Sequence, residues 1–353
     1  MSKTQLQLIE ADGGDCPGVA LESCLLHRHR PRVALLSNPR STGNLAQLSR
    51  IRTYCADHPD IFHYEVEHVD QIGDALRSIA QVRPKMLVIN GGDGTVQAAI
   101  TEMMNGGHFG DNPPPVAVLP NGKTNLIAFD LGAGDDPIRS LERVLELARS
   151  DLDPHIVERE LIALSDGSPL GKPVVGMFLG GAGLAETMLF CRDKIYPLGL
   201  PNGVAHVLTV LAGLLGLIFG RGLPPTAVPV RVSVPRHEQL NGRFAVLMVT
   251  TLERLLLLND ASSSAAVPKR GGALQLLVIE RRFFSVIRAM LAAVFGRLGR
   301  RRLSGVHVER GDEIRIEGDK SSVILDGELF EVRRDSPIVL KSTPPMSFLR
   351  LAA

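Results

Sequence analysis

The chemistry of this chain is concentrated in three short turns. The first follows the apolar run Met86–Ile89 and reads Gly91, Gly92, Asp93, Gly94, Thr95 before a helix-compatible segment. Glycines without Cβ atoms let a backbone turn sharply and bring its N–H groups against an anion. Thr95 stands where a helix N-cap is expected, with the unpaired amides of a first helical turn behind it. A bare phosphate would repel Asp93. The carboxylate therefore predicts either a divalent cation bridging it to phosphate oxygens, or a proton to be taken from an attacking hydroxyl, and phosphoryl transfer accommodates both. A plain strand-to-helix turn with Asp as a turn residue is the competing reading.

The second turn, Pro120-Asn121-Gly122, follows the strand-like Val116–Leu119 and leads into another helix start. Gly122-Lys123-Thr124 is not a P-loop, because the first glycine of that motif would fall on Ala117 inside the strand. Lys123 is either a point charge for phosphate or a solvated lysine, and Asn125 either a helix cap or a ligand contact. The third turn, Leu325-Asp326-Gly327-Glu328, is by itself an ordinary hairpin signal between two strands. Beside a phosphate loop that still needs a group to deprotonate an acceptor, its two carboxylates become candidates.

These turns need a frame. Val33–Ser37, Met86–Ile89 and Val116–Leu119 read as buried strands, alternating with helical patterns at Leu45–Cys55 and Asp74–Gln81, and a helix follows the glycine turn. That order predicts a parallel sheet with helices on both faces, binding ligands at the carboxyl ends of its strands. Past residue 155 the texture becomes β-rich, with strands expected at Val174–Leu179, Val228–Val234, Phe244–Thr250, Leu274–Ile279, Ile314–Ile316 and Val323–Leu325. Helical patterns persist at Val204–Phe219 and Ser285–Leu298, and 261–272 reads as a flexible loop. The expected division is an extension over 1–30, an α/β domain over 31–155, and a β-rich domain over 156–334, with 335–353 returning to the first.

The 353 residues exceed one ordinary domain, and a prior of about 150 residues per domain gives two. A formal net charge of +1 argues against a general nucleic-acid footprint. Cys16, Cys24, Cys55 and Cys191 have neither CxxC spacing nor a paired histidine motif, so no zinc site or disulfide framework is expected and a reducing cytoplasm fits. The polar opening segment has no continuous apolar core of the kind a secretory signal needs. Val204–Gly220, about 17 residues, sits at the lower limit for spanning a bilayer and reads as a buried or membrane-touching helix.

In this arrangement the sequence resembles the diacylglycerol kinase catalytic-domain family of lipid kinases, which includes soluble bacterial diacylglycerol kinases and the sphingosine and ceramide kinases. The matching positions run in the family's order: Asn38-Pro39 with Ser41 and Gly43, Gly91 to Thr95, Pro120-x-Gly122 with Asn125, Gly181-x-Gly183, and Asp326-Gly327-Glu328. The resemblance implies ATP held between an α/β domain and a β-sandwich domain by Asn38, Ser41, Gly43, Gly91, Gly92, Asp93, Gly94, Thr95, Gly122, Lys123, Thr124 and Asn125. It further implies Mg2+ organised by Asp93 and Glu328, a lipid hydroxyl as acceptor, and Asp326 as the proton acceptor, with the Asp93 and Asp326 roles open to exchange. Three departures stand out: Leu126 and Ala98 replace an Asp and a Glu of the pattern, and Gly271-Gly272 replaces an Asp-Gly that can hold a structural magnesium ion. NAD kinases share the glycine turn, but their later Asn-Glu pair is missing here. A nucleotide- and lipid-binding protein without turnover is the reading that Lys123, Leu126 and Ala98 favour.

A lipid acceptor implies work at a membrane surface, on its inner face for a cytoplasmic protein. Ser285–Leu298 carries Val286, Ile287, Met290, Leu291, Val294 and Leu298, bracketed by Arg281, Arg282, Arg297, Arg300, Arg301 and Arg302. Such a segment suits an anionic membrane, and it equally suits an amphipathic helix packed on a sheet. Whether the chain forms a homodimer stays open at this stage.

Overall fold

The computed structural model describes residues 32–123, 125–166, 171–190, 229–253, 272–295, 298, 303–318, 322–331 and 337–352. The 1–30 extension, the Val204–Phe219 helix and nearly all of the 261–272 loop lie outside these residues.

The first sheet is built on four parallel strands, β1 (Val33–Ser37), β2 (Ile61–Glu65), β3 (Met86–Gly91) and β4 (Val116–Pro120), in the order β2-β1-β3-β4. Alternate residues of these strands feed two cores, as a sheet covered on both faces requires. Val33, Leu35, Met86, Val88, Ala117 and Leu119 pack with Ile51 of α1 (Asn44–Asp57) and with Leu141, Val144 and Leu145 of Pro137–Arg149. Ala34, Leu36, Leu87, Ile89, Val116 and Val118 face Leu76 and Ile79 of α2 (Ile72–Val82) and Val96 and Ile100 of α3 (Asp93–Gly106). Two further strands complete the sheet beyond β4. β18 (Met346–Leu349) lies parallel to β4, and β5 (Ile156–Arg159) pairs antiparallel to β18 at the edge. The sheet thus runs past residue 155, and its C-terminal contribution is Met346–Leu349.

The remaining strands form two antiparallel six-stranded sheets. One contains β6 (Ile162–Ser165), β7 (Val174–Gly176), β9 (Val230–Ser233), β10 (Leu240–Gly242), β14 (Glu313–Gly318) and β17 (Ile338–Ser342), ordered β10-β9-β14-β17-β6-β7. The other contains β8 (Phe178–Gly181), β11 (Phe244–Thr250), β12 (Leu274–Glu280), β13 (Val306–Gly311), β15 (Ser322–Leu325) and β16 (Glu328–Glu331), ordered β13-β12-β11-β8-β15-β16. A single apolar cluster joins Ile162, Val232, Ile314 and Leu340 of the former to Leu179, Leu247, Leu276 and Val323 of the latter, so the two sheets pack face to face. The opposite face of the second sheet, with Phe178, Met248, Leu277 and Ile279, belongs to the same cluster as α3.

Several elements differ from the sequence reading. The single strand expected at Val174–Leu179 breaks at Met177 into β7 and β8, which belong to different sheets. The helix expected at Ser285–Leu298 starts two residues earlier and spans Phe283–Val294. Thr95 is not a cap: α3 begins at Asp93 with Gly92 in the N-cap position. Its hydroxyl instead lies buried inside the loop assembly, where it accepts from Asn38.

Candidate active site

The loops that leave β1, β3 and β4 meet at the carboxyl edge of the sheet, and asparagines hold them together. Asn90, fully buried at the end of β3, donates to Ser37 Oγ at 2.9 Å and accepts from the Asn121 amide after β4. Asn44 at the start of α1 donates to the carbonyls of Asn38 (2.7 Å) and Asn90 (3.1 Å). Asn38 Nδ2 donates to Thr95 Oγ1 at 2.9 Å, which ties the first loop to the glycine turn. Ser41 Oγ and the Gly43 amide both donate to the Asn121 carbonyl. Asn125, at φ 53°, accepts from the Gly122 amide at 2.6 Å, so its side chain closes the second turn instead of capping the helix Leu126–Asp130. Each neutral bond is worth about 0.5–1.5 kcal/mol net, and leaving a buried partner unpaired costs about 1–3 kcal/mol. The network therefore fixes the three loops as one unit.

Two glycines of that unit face each other. A Cβ on Gly122 would stand 2.9 Å from the Gly92 Cα, whereas a Cβ on Gly92 would find its nearest neighbours, Gly122 Cα and Ser41 Oγ, at an ordinary 3.7 Å. The surface of the turn is consequently backbone, as close approach of a phosphate requires. Asp93 opens α3 immediately beside it, where a helix N-terminus favours negative charge. Lys123 is exposed, and Thr124 lies outside the described residues.

The third turn comes from the second antiparallel sheet. β15 and β16 pair Leu325 with Glu328, leaving the two-residue loop Asp326-Gly327 with φ of 46° and 97°, the type I′ signature that Asp-Gly favours. Asp326 is buried, and its carboxylate accepts from the amides of Met177 (2.8 Å) and Phe178 (2.9 Å) between β7 and β8. Burial pushes this carboxyl up to about 7, against the pull of the two amide bonds and with a further push from the Asp93 charge. Glu328 is exposed and reaches back to the glycine turn: a Cβ on Gly94 would stand 3.0 Å from its Oε1. Residues separated by more than 230 positions thus share one cleft.

What holds this cleft in shape is a polar ladder on α3. Gln97 donates to the Leu325 carbonyl at 2.8 Å, Thr101 exchanges bonds with the Val175 amide (3.0 Å) and carbonyl (3.2 Å), and Asn105 donates to the Pro173 carbonyl at 2.9 Å. These side chains recur every four residues, so they share one helix face. Sequence reasoning missed the ladder, together with Asn90, Asn121 and Gly176, whose missing side chain makes room for the Asp326 carboxylate. The visible signal was the polar stripe at spacing four, Gln97, Thr101 and Asn105.

The donor set constrains what the cleft can hold. Among the described residues, no three His, Cys, Asp or Glu side chains converge closely enough to hold a metal ion unaided. Asp93 and Glu328 can supply hard carboxylate oxygens, the limited protein share that suits Mg2+ when phosphates provide the remaining ligands. Cys55 is excluded as a nucleophile, since burial pushes its thiol up to about 12.

Residues 32–155 match the family model of the diacylglycerol kinase catalytic domain. The fold is similar to that of a Bacillus anthracis str. Sterne protein assigned as a diacylglycerol kinase, at 14% identity, a TM-score of 0.59, and coverage of 89% of this chain and 94% of that one. A second structure, of a diacylglycerol kinase from the same strain, shares 13% identity and a TM-score of 0.55, covering 91% of this chain and 97% of that one. No curated protein sequence matches the chain.

Proposed function

We propose that this chain, whose residues 32–155 match the family model of the diacylglycerol kinase catalytic domain, is a kinase of that family and transfers the γ-phosphoryl group of ATP to the hydroxyl of a lipid. The observation that carries the reading is the meeting of Asp93 with the Asp326 hairpin across a cleft floored by glycine backbone. The unit of Asn38, Ser41, Gly43, Gly91 to Thr95, Gly122 and Asn125 presents backbone and small polar groups to the phosphates, and Lys123 adds a cation at its rim. Asp93 and Glu328 would hold Mg2+, which supplies charge neutralisation on the phosphate oxygens. Asp326, poised near neutrality, takes the proton as the lipid oxygen forms its bond to phosphorus and the bond from phosphorus to the ADP oxygen breaks. Such transfer is mostly positioning and electrostatics, which a rigid cleft between two domains supplies.

The acceptor must come from a membrane, and α7 (Phe283–Val294) is suited to meet one. Ser285 and Ala289 are buried against the sandwich, while Phe284, Leu291 and Phe295 are exposed at 70%, 53% and 66%. These three recur on one face, beside the exposed Arg282 and Arg288. The additional arginines at 297, 300, 301 and 302 lie outside the described residues. Among the described residues no helix is long and apolar enough to cross a bilayer; the contact proposed here is a peripheral one on the inner face. Burying each large apolar side chain contributes about 1.5–3 kcal/mol. Replacing Phe284, Leu291 and Phe295 with Ser is expected to reduce sedimentation with anionic vesicles by well over tenfold, with an unchanged melting temperature. Equal sedimentation of variant and parent would remove α7 as the membrane contact.

The function itself is tested by incubating purified protein with labelled ATP, Mg2+ and a mixed lipid extract. A labelled lipid is the expected result. Nucleotide binding with no labelled lipid would favour the regulatory reading, and a labelled dinucleotide would favour an NAD kinase.

A further inference from the structure

We propose that Gln275 binds the carbonyl-bearing linkage of the acceptor lipid, and so selects an acylglycerol or an N-acyl lipid over a free sphingoid amine; this rests on the lipid-kinase reading above. Gln275 is 1% exposed, and among the described residues it is the side chain whose amide nitrogen and amide oxygen are both buried without a hydrogen-bond partner. Buried polar groups are nearly always paired, and an orphaned amide is costly to keep. A ligand that supplies the missing partners removes that cost.

The register of the second sandwich sheet places this amide opposite the candidate chemistry. Gln275 pairs with Arg310 on one side and Thr250 on the other, Thr250 pairs with Phe178, and the Asp326 amide donates to the Phe178 carbonyl. One row across the sheet therefore runs Arg310, Gln275, Thr250, Phe178, Asp326. The next rows on the same face are apolar, with Leu277 beside Met248 and Ile279 beside Val246. Thr250 is already engaged, donating to the Met177 carbonyl and accepting from the Leu252 amide, both at 3.0 Å. The Asp326 carboxylate hangs on the Met177 and Phe178 amides, over the start of β8. β8 and β12 are two strand spacings apart, about 10 Å. A lipid that meets Asp326 through its hydroxyl and Gln275 through a carbonyl further along the same molecule spans this separation. A carbonyl accepts from the Gln275 nitrogen, which an ammonium group cannot do.

The test is steady-state kinetics of the full chain on diacylglycerol, ceramide and sphingosine in mixed micelles, for the parent and for Gln275→Leu. The parent is expected to prefer the two carbonyl-bearing lipids. Gln275→Leu is expected to raise their KM about tenfold, the worth of a well-made hydrogen bond, with the KM for ATP unchanged. Its melting temperature should hold or rise, because an orphaned amide has been replaced by an alkyl group, whereas a structural glutamine would lose stability. A parent that phosphorylates only sphingosine, or a variant with the parent's lipid KM, overturns the assignment of Gln275 and leaves the kinase standing. A parent that phosphorylates none of the three overturns the lipid-kinase reading and this assignment with it.

Discussion

Asp326→Asn is expected to reduce lipid phosphorylation by about 10² to 10⁴ while leaving ATP affinity intact, the usual cost of removing a general base that does not hold the nucleotide. The loops proposed to face the nucleotide are tied together by Asn38, Asn44, Asn90 and Asn121, none of which depends on the Asp326 carboxylate. Calorimetry with ATP separates a lost base from a lost site. If the proposed transfer takes place, the parent protein should also show an acid limb in kcat at about pH 7, where Asp326 gains its proton, well above the ordinary carboxyl value of 3.8. The same shift has a signed effect on stability. The folded state holds this proton more tightly than the unfolded chain, so the contribution is fully present below about 3.8 and is lost as pH rises through about 7. Melting curves between pH 4 and 8 should accordingly flatten in Asp326→Asn. Full turnover of that variant at neutral pH would make Asp326 only the anchor of its hairpin, and would pass the base role to Asp93.

The two outcomes for Asp326 are both visible in the sequence, and only the fold separates them. Asp-Gly between β-branched strands specifies a type I′ hairpin, which the pairing of Leu325 with Glu328 shows. Nothing local to that hairpin reveals that it will be carried against the start of α3. The approach is set by Gln97, Thr101 and Asn105, whose acceptors lie 68 to 228 positions away. Parallel strands were legible because β1, β3 and β4 are continuous apolar runs buried on both faces. Other elements carried weaker signals. Ile61–Glu65 is a half-buried edge strand without clean alternation, and β18 is a short segment that contributes Phe348 and Leu349 to two different cores. The helix Pro137–Arg149 carries its own sequence signal, Asp136 as its N-cap and Pro137 at its first position, which the sequence reading leaves unassigned. Thr95 shows the opposite failure. A hydroxyl beside a helix start reads as a cap, yet the glycine before Asp93 already opens the helix and frees the threonine to bind Asn38.

The facing glycines supply the other large expected effect, and the two positions should respond differently. Gly92→Ala adds a Cβ whose nearest neighbours are at 3.7 Å, an ordinary contact, so the protein should fold with a melting temperature close to the parent's. The methyl group would nonetheless stand on the surface that phosphate must approach, and an ATP oxygen cannot reach the backbone through it. Nucleotide affinity is expected to fall by at least tenfold, and Gly92→Val should extend the loss. Gly122→Ala instead drives its Cβ to 2.9 Å from the Gly92 Cα, and the atom it meets is backbone that cannot swing aside. That strain separates the two turns, breaks the bond from the Gly122 amide to Asn125, and should lower stability as well as affinity. Thermal melting and ATP calorimetry on the pair of variants therefore read the same contact from its two sides. Undiminished ATP binding in Gly92→Ala would show that the glycine turn carries no phosphate. Loss of stability in Gly92→Ala with none in Gly122→Ala would show that the two turns are not packed as described.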